Sequence, residues 1–185
     1  YLEIMKKKTI LELDRISQEE FKKKNKIPLI VVLDNVRSLN NVGSVFRTSD
    51  AFLVKAVYLC GITATPPHPE IHKTALGAED SVEWRYFEDT NDAVDKLHEE
   101  GYIVYAIEQV ENSIILYDLQ LNKDSKYAVV LGNEVKGVQQ NVVDKCNQSI
   151  EIPQFGTKHS LNVSVTAGLV IWLSLIHISE PTRLQ

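Results

Sequence analysis

Cysteine is scarce in this chain of 185 residues, which holds only Cys60 and Cys146. Neither sits in a C-x-x-C pair, so a disulfide framework and a structural metal site are poor readings, and two buried free thiols are expected. Long apolar runs are missing too. No stretch is long enough to cross a bilayer, and the lysine-rich start is not followed by an apolar core, so no membrane span or signal peptide is indicated and a cytoplasmic protein is expected. Neither G-x-x-x-x-G-K-[ST] nor G-x-G-x-x-G occurs, which counts against a nucleotide triphosphatase and against a Rossmann-type nucleotide enzyme. Positive charge is in deficit as well, with a net charge of −5 that argues against a generally basic nucleic-acid binder. The deficit is uneven: residues 1–26 carry eight basic against five acidic groups, the remainder twelve against twenty. A lysine-rich arm on an acidic body suits RNA, although such a run is more commonly just a solvated helix face.

What is present is ordinary for one compact domain: 44% hydrophobic and 24% charged residues. Residues 1–26 read as a helical basic arm, with Ile10, Leu13 and Ile16 on one face and Ser17 with Glu20 as a capping box. Leu29 to Leu33 is a continuous apolar run, the pattern of a central strand covered on both faces. Strands are expected again at Ala56 to Cys60, Ser81 to Phe87, Tyr102 to Ile107, Tyr127 to Leu131 and Ser149 to Ile152. Amphipathic helices are expected between them, notably Asn91 to Glu100, ending at Gly101, and Val138 to Lys145. Residues 61 to 70 form a turn-rich loop. This alternation predicts an α/β fold with a mostly parallel, doubly wound sheet and helices on both faces.

Three stretches carry chemistry. From Ile152 the chain runs I-P-Q-F-G-T-K-H-S-L-N-V-S-V, an apolar strand entering a loop through Pro153 and Gly156, with Ser160 placed to cap the next helix. Unpaired N–H groups at such a helix start can hold a polar ligand at the carboxyl end of a strand. An ordinary strand-to-helix connection has the same form, and spacing alone does not choose. The second stretch, Asp34 to Phe52, is D-N-V-R-S-L-N-N-V-G-S-V-F-R-T-S-D-A-F. Asn40 or Asn41 can cap its helix, whose apolar stripe is Val42, Val45, Phe46 and Ser49; Arg47 falls off that stripe and by pattern alone is a surface arginine. The third, Val129 to Val138 (V-V-L-G-N-E-V-K-G-V), sets two glycines around one carboxylate at a strand's end.

Taken in order, the three stretches resemble the motifs of the SpoU (TrmH) family of RNA 2′-O-ribose methyltransferases, within the SPOUT superfamily, over about Pro28 to Trp172. The resemblance implies a SPOUT-type α/β knot: a C-terminal trefoil knot that binds S-adenosylmethionine. It places cofactor contacts on Gly132, Glu134, Ile152, Ser160 and Leu161. It places the catalytic set on Arg47, Asn41, Glu134, Ser160 and Asn162, with no metal. Arg47 would serve either as general base or as a clamp on the phosphate, the second avoiding the difficulty that free arginine titrates above about 12. His72 and Lys73, in the segment Ile71 to Gly77, would approach RNA, although a plain surface loop is as good a reading. The expected activity is methyl transfer to a ribose 2′-hydroxyl of tRNA or rRNA by a homodimer, with Val165, Leu169 and Trp172 as an interface stripe or, equally well, as plain core packing. A catalytically inactive RNA-binding relative is the alternative. The expected division is an arm (1–26), a methyltransferase domain (27–173), and a tail (174–185) that departs from the family pattern and reads as non-native.

Overall fold

The computed structural model describes residues 5–178. The first four residues of the expected arm and residues 179–185 of the expected tail lie outside that range. The arm is less helical than its spacing predicts: it holds a 3-10 turn, Leu11–Leu13, and α1, Gln18–Lys23. Ile10, Leu13 and Ile16 find no face to pack on and stay exposed. The Ser17–Glu20 capping box does form, and Phe21 anchors α1 to the core.

Seven strands follow: β1 (Ile27–Asp34), β2 (Val54–Cys60), β3 (Glu83–Phe87), β4 (Tyr102–Ile107), β5 (Ile114–Ile115), β6 (Lys126–Leu131) and β7 (Gln148–Glu151). They form one sheet in the order β3-β2-β1-β6-β4-β7-β5, and every ladder is parallel. The intervening helices are α2 (Leu39–Ala51), α3 (Pro69–Ala75), α4 (Ala78–Ser81), α5 (Thr90–Glu99) and α6 (Gln140–Lys145); α7 (Val163–Ile178) follows β7. Ile114–Ile115 supplies the sheet's short edge strand, and Leu116–Asp118 a 3-10 turn. The segment holding His72 and Lys73 is mostly helix α3, entered through Pro69 at its first turn, where a missing N–H costs nothing.

Strand β1 shows why the sheet is covered on both sides. Leu29, Val31 and Leu33 join one apolar cluster with Val42, Val45 and Phe46 of α2, Ile71 of α3, and Ala167, Val170 and Ile171 of α7. Ile30 and Val32 point the other way, into a second cluster with Ala93, Val94 and Leu97 of α5 and Val142 of α6. A strand alternates its side chains between faces, so two buried faces require an unbroken apolar run. Connections leave neighbouring β1 and β6 in opposite directions, through α2 toward β2 and through α6 toward β7. That divergence opens a crevice at the carboxyl ends of β1 and β6, the usual place for a ligand in such sheets.

Candidate functional site

Three loops meet at this crevice: residues 35–38 after β1, residues 132–139 after β6, and residues 152–162 between β7 and α7. The second is closed on itself. Asn133 and Gly137 exchange backbone hydrogen bonds (3.0 and 2.9 Å), and the Asn133 Oδ1 accepts the N–H groups of Val135 (3.0 Å) and Lys136 (3.1 Å). Gly132 is required by this closure. A Cβ there would lie 2.1 Å from the Gly137 carbonyl carbon and 2.1 Å from the Val138 nitrogen, so its own loop forbids a side chain whatever else it touches.

Closure presents Glu134 to the first loop. Its carboxylate accepts the N–H groups of Arg37 (2.9 Å) and Ser38 (2.9 Å) and the side-chain amide of Asn41 (3.1 Å). Burial alone pushes the Glu134 carboxyl up. The hydrogen bonds from Arg37, Ser38, its own backbone and Asn41 outweigh it, and the net shift is downward. Asn41 passes the contact on, its Oδ1 accepting from the Asn162 Nδ2 at 3.1 Å. The Asn162 Oδ1 in turn accepts from the Ser164 N–H (2.9 Å) and hydroxyl (2.6 Å) at the start of α7. Glu134, Asn41 and Asn162, one from each loop or helix start, therefore form a continuous chain of hydrogen bonds.

Two expectations about helix starts change. Ser38 caps α2, its hydroxyl accepting the Asn41 N–H at 3.3 Å, which frees the Asn41 side chain for Glu134 and Asn162. Asn162, not Ser160, caps α7, because its carboxamide reaches the two N–H groups that follow. Ser160 is exposed and, among the described residues, makes no hydrogen bond to Glu134 or Asn162. Arg47 lies on the exposed side of α2, nearly two turns beyond Asn41, with no ion pair among the described residues. His72 and Lys73 are both engaged already: the His72 Nδ1 lies 2.6 Å from Glu79 and the Lys73 Nζ 2.5 Å from Glu70.

For the expected cofactor contacts, Ile152 is half-buried against the larger apolar cluster and Leu161 is 39% exposed. Between them, the backbone N–H groups of residues 154–161 donate to no protein acceptor among the described residues. Apolar walls beside unpaired backbone donors fit a flat, polar-edged group such as an adenosine. Of two surface cavities, one of about 460 Å³ lies elsewhere and one of about 420 Å³ borders the crevice at Asn35 and Gln139; neither includes Gly132, Ile152 or Leu161. Among the described residues no group of three or more His, Cys, Asp or Glu is placed to hold a metal ion, and no helix is long and apolar enough to cross a membrane.

The pattern reading missed the residues that hold the crevice in shape. Asp34, fully buried, accepts from Asn35 Nδ2 (2.9 Å), Thr90 Oγ1 (2.6 Å), and the N–H and Nε2 of Gln139 (2.9 Å each). Asn35, with φ +55°, accepts from Asn133 Nδ2 at its carbonyl (2.7 Å) and from the Ile62 N–H at its Oδ1 (3.1 Å). Glu108 accepts from Val138 N–H (3.0 Å) and Gln109 N–H (2.9 Å), and Gln109 Nε2 donates to the His159 carbonyl (3.2 Å). The available signal was a carboxylate closing an otherwise apolar strand: Asp34 is too costly to bury there without partners.

The SpoU rRNA methylase family model matches residues 28–172. The chain belongs to this family. Among its relatives, the 23S rRNA (guanosine-2′-O-)-methyltransferase RlmB of Coxiella burnetii is 30% identical over 151 residues, covering 82% of this chain and 59% of that protein. RlmB of Neisseria meningitidis is 30% identical over 144 residues, 78% of this chain and 56% of that one. This SpoU-family chain spans only 59 to 63% of the length of the curated relatives it matches first. In fold it resembles the A. aeolicus TrmH/SpoU tRNA modifying enzyme, with a TM-score of 0.76 and 24% identity over 88% of this chain and 81% of that one. An AdoMet-bound rRNA methyltransferase from Sinorhizobium meliloti gives a TM-score of 0.76 and 22% identity over 86% of this chain and 60% of that one. The family match and the parallel sheet agree with the resemblance drawn from the three motifs.

Proposed function

We propose that this SpoU-family chain transfers a methyl group from S-adenosylmethionine to a ribose 2′-hydroxyl of tRNA or rRNA. The observation that supports it most is the hydrogen-bond chain from Glu134 through Asn41 to Asn162, which joins the three motif segments at the β1/β6 crevice. Ile152, Leu161 and the unpaired amides between them would hold the adenosine, with Gly132 and Ser160 at its edge. The bound sulfonium would supply an activated methyl group. What remains for the protein is to aim the 2′-oxygen along the line of transfer and remove its proton.

Asn41, Glu134 and Asn162 position rather than titrate: each is engaged by the others, and the carboxylate is held ionised by its donors. Arg47 is exposed, and a guanidinium in water acts as a fixed charge more readily than as a base. Its role in this proposal is to hold the phosphate beside the target ribose, with His72 and Lys73 further along the RNA. Both side chains already face carboxylates, so their contribution requires partner exchange on RNA binding.

The protein is proposed to act as a homodimer. Val165, Leu169 and Trp172 are 52%, 44% and 50% exposed along one side of α7, and the Trp172 ring lies 5.4 Å from Phe52. An apolar stripe of this kind fits a second copy of itself. The trefoil knot belongs to the same proposal, supported by the return of α7 from β7 to pack on β1 and α2. Incubation with radiolabelled S-adenosylmethionine and total RNA, followed by mapping of 2′-O-methyl sites, tests the activity. No label in any RNA, from protein that binds S-adenosylhomocysteine, would leave the non-catalytic RNA-binding alternative.

A further inference from the structure

The three loops at the crevice differ from the rest of the chain in charge and in what they expose. Each carries an exposed cation: Arg37 on the first, Lys136 on the second, Lys158 on the third. None of the three is in an ion pair among the described residues. Their one carboxylate, Glu134, is already taken up by three hydrogen bonds, and Asp34 at the end of β1 by four. On a protein of net charge −5 these loops carry exposed cations and no exposed carboxylate of their own, while the exposed Glu88, Asp89 and Asp92 share a cavity with Asn35 and Gln139.

In the third loop stands Phe155, 96% exposed, between Gln154 and Gly156. A Cβ added at Gly156 would meet no atom within 4 Å, so the backbone beside the ring is open. The loop is nonetheless tied down near its far end, where Gln109 Nε2 holds the His159 carbonyl. An aromatic ring offered to solvent beside lysines, at the mouth of a methyl-transfer site, has the two components that bind single-stranded nucleic acid: a stacking face and backbone cations.

We propose that Phe155 stacks on an unpaired base of the RNA, next to the nucleotide being modified, while Arg37, Lys136 and Lys158 contact its phosphates. This rests on the RNA methyltransferase reading above and adds to it that the target is unstacked and single-stranded where it enters the crevice. RNA is favoured over a protein partner because the residues around Phe155 are polar and basic rather than a continuous apolar patch. The base is held through its face, so the contact tolerates any base and discriminates by strandedness.

The test uses the full chain with saturating S-adenosylhomocysteine and a fluorescein-labelled RNA of on the order of twelve nucleotides, single-stranded or annealed to its complement. Anisotropy should show Phe155→Ala weakening single-strand binding by about tenfold or more while duplex binding changes little, with Phe155→Trp restoring it. Lys136→Gln and Lys158→Gln should each lower the slope of log affinity against log salt by about 0.7. Unchanged single-strand affinity in Phe155→Ala overturns the inference, with wild-type binding intact. A loss of affinity that tracks a fall in oligomeric mass by light scattering also overturns it and makes Phe155 a subunit contact. Wild-type protein that binds neither RNA and methylates none removes the methyltransferase reading itself.

Discussion

Replacing Glu134 with alanine removes the acceptor that joins the loop after β6 to the start of α2. Three donors lose their partner: the Arg37 N–H, which is exposed and can turn to water, the half-buried Ser38 N–H, and the amide of Asn41, which is 8% exposed. Hydrogen bonds to a charged acceptor contribute about 1.5 kcal/mol or more where water cannot replace them. Assigning about 1.5 to Asn41, about 1 to Ser38, little to Arg37 and about 0.5 for a negative charge at a helix start gives roughly 3 kcal/mol. With a urea dependence of about 2 kcal/mol/M, the unfolding midpoint should fall by roughly 1.5 M. Glu134→Gln keeps one acceptor oxygen and should lose about half as much. Because the folded carboxyl is held below its ordinary range, its stabilisation is present above about pH 4.3 and fades as pH falls through the lowered folded value. The gap between wild type and Glu134→Gln should therefore narrow toward pH 3. A midpoint for Glu134→Ala within the error of wild type at pH 7 would refute the account of how the loops are held.

Gly43 sits where α2 crosses α3, and an added Cβ would lie 2.1 Å from the Thr74 hydroxyl and 2.2 Å from the Ile71 carbonyl. Gly43→Ala should destabilise by about 3 kcal/mol and lower the melting temperature by roughly 5 to 10 °C, measured by calorimetry. Arg47→Ala should lower methyl transfer by about a hundredfold or more and leave S-adenosylhomocysteine affinity nearly intact by titration calorimetry; near-normal turnover would return Arg47 to the plain surface. Burial pushes both thiols up to about 12, that of Cys60 against a hydrogen bond with Thr90 and further by the Asp34 charge. A colorimetric disulfide reagent at pH 8 should therefore count no rapidly reacting thiol in the native protein and two after denaturation.

The sheet was legible because its strands are apolar on both faces, and a run such as Leu29 to Leu33 has few other destinations in a soluble domain. The helix α5 was legible from Ala93, Val94 and Leu97, its stop at Gly101 from the φ of +79° that glycine accepts readily. The arm was misjudged for the same reason turned round. Three apolar residues at helical spacing make a helix only if something covers them, and nothing covers Ile10, Leu13 and Ile16. At the site, motif resemblance led to Asn41, Glu134 and Asn162, yet it carried no geometry. That Glu134 reaches across 97 and 96 positions to Arg37 and Ser38, or that Asn35 meets Asn133, depends on which strand ends are neighbours. No local spacing encodes that adjacency. The caps show the limit on a smaller scale: Asn40 and Asn41 were the candidates for α2, and the direction of the incoming chain gives the place to Ser38.

The strand order has a consequence for how the chain is made. Strands β1, β2 and β3 are neighbours in both sequence and space, so they can pair as soon as they are synthesised. The other edge of β1 must wait, since Leu29 pairs with Tyr127 and Leu33 with Leu131, almost a hundred positions later. During that interval an apolar strand stands at the rim of a half-built sheet, its N–H and C=O groups open to any extended segment nearby. Parallel pairing over such separations is slow, and the exposed rim is the place where a nascent chain is most open to mispairing. Chaperone dependence and aggregation on rapid refolding should accordingly be governed by β1 and the arrival of β6, far more than by anything at the crevice the finished sheet goes on to form.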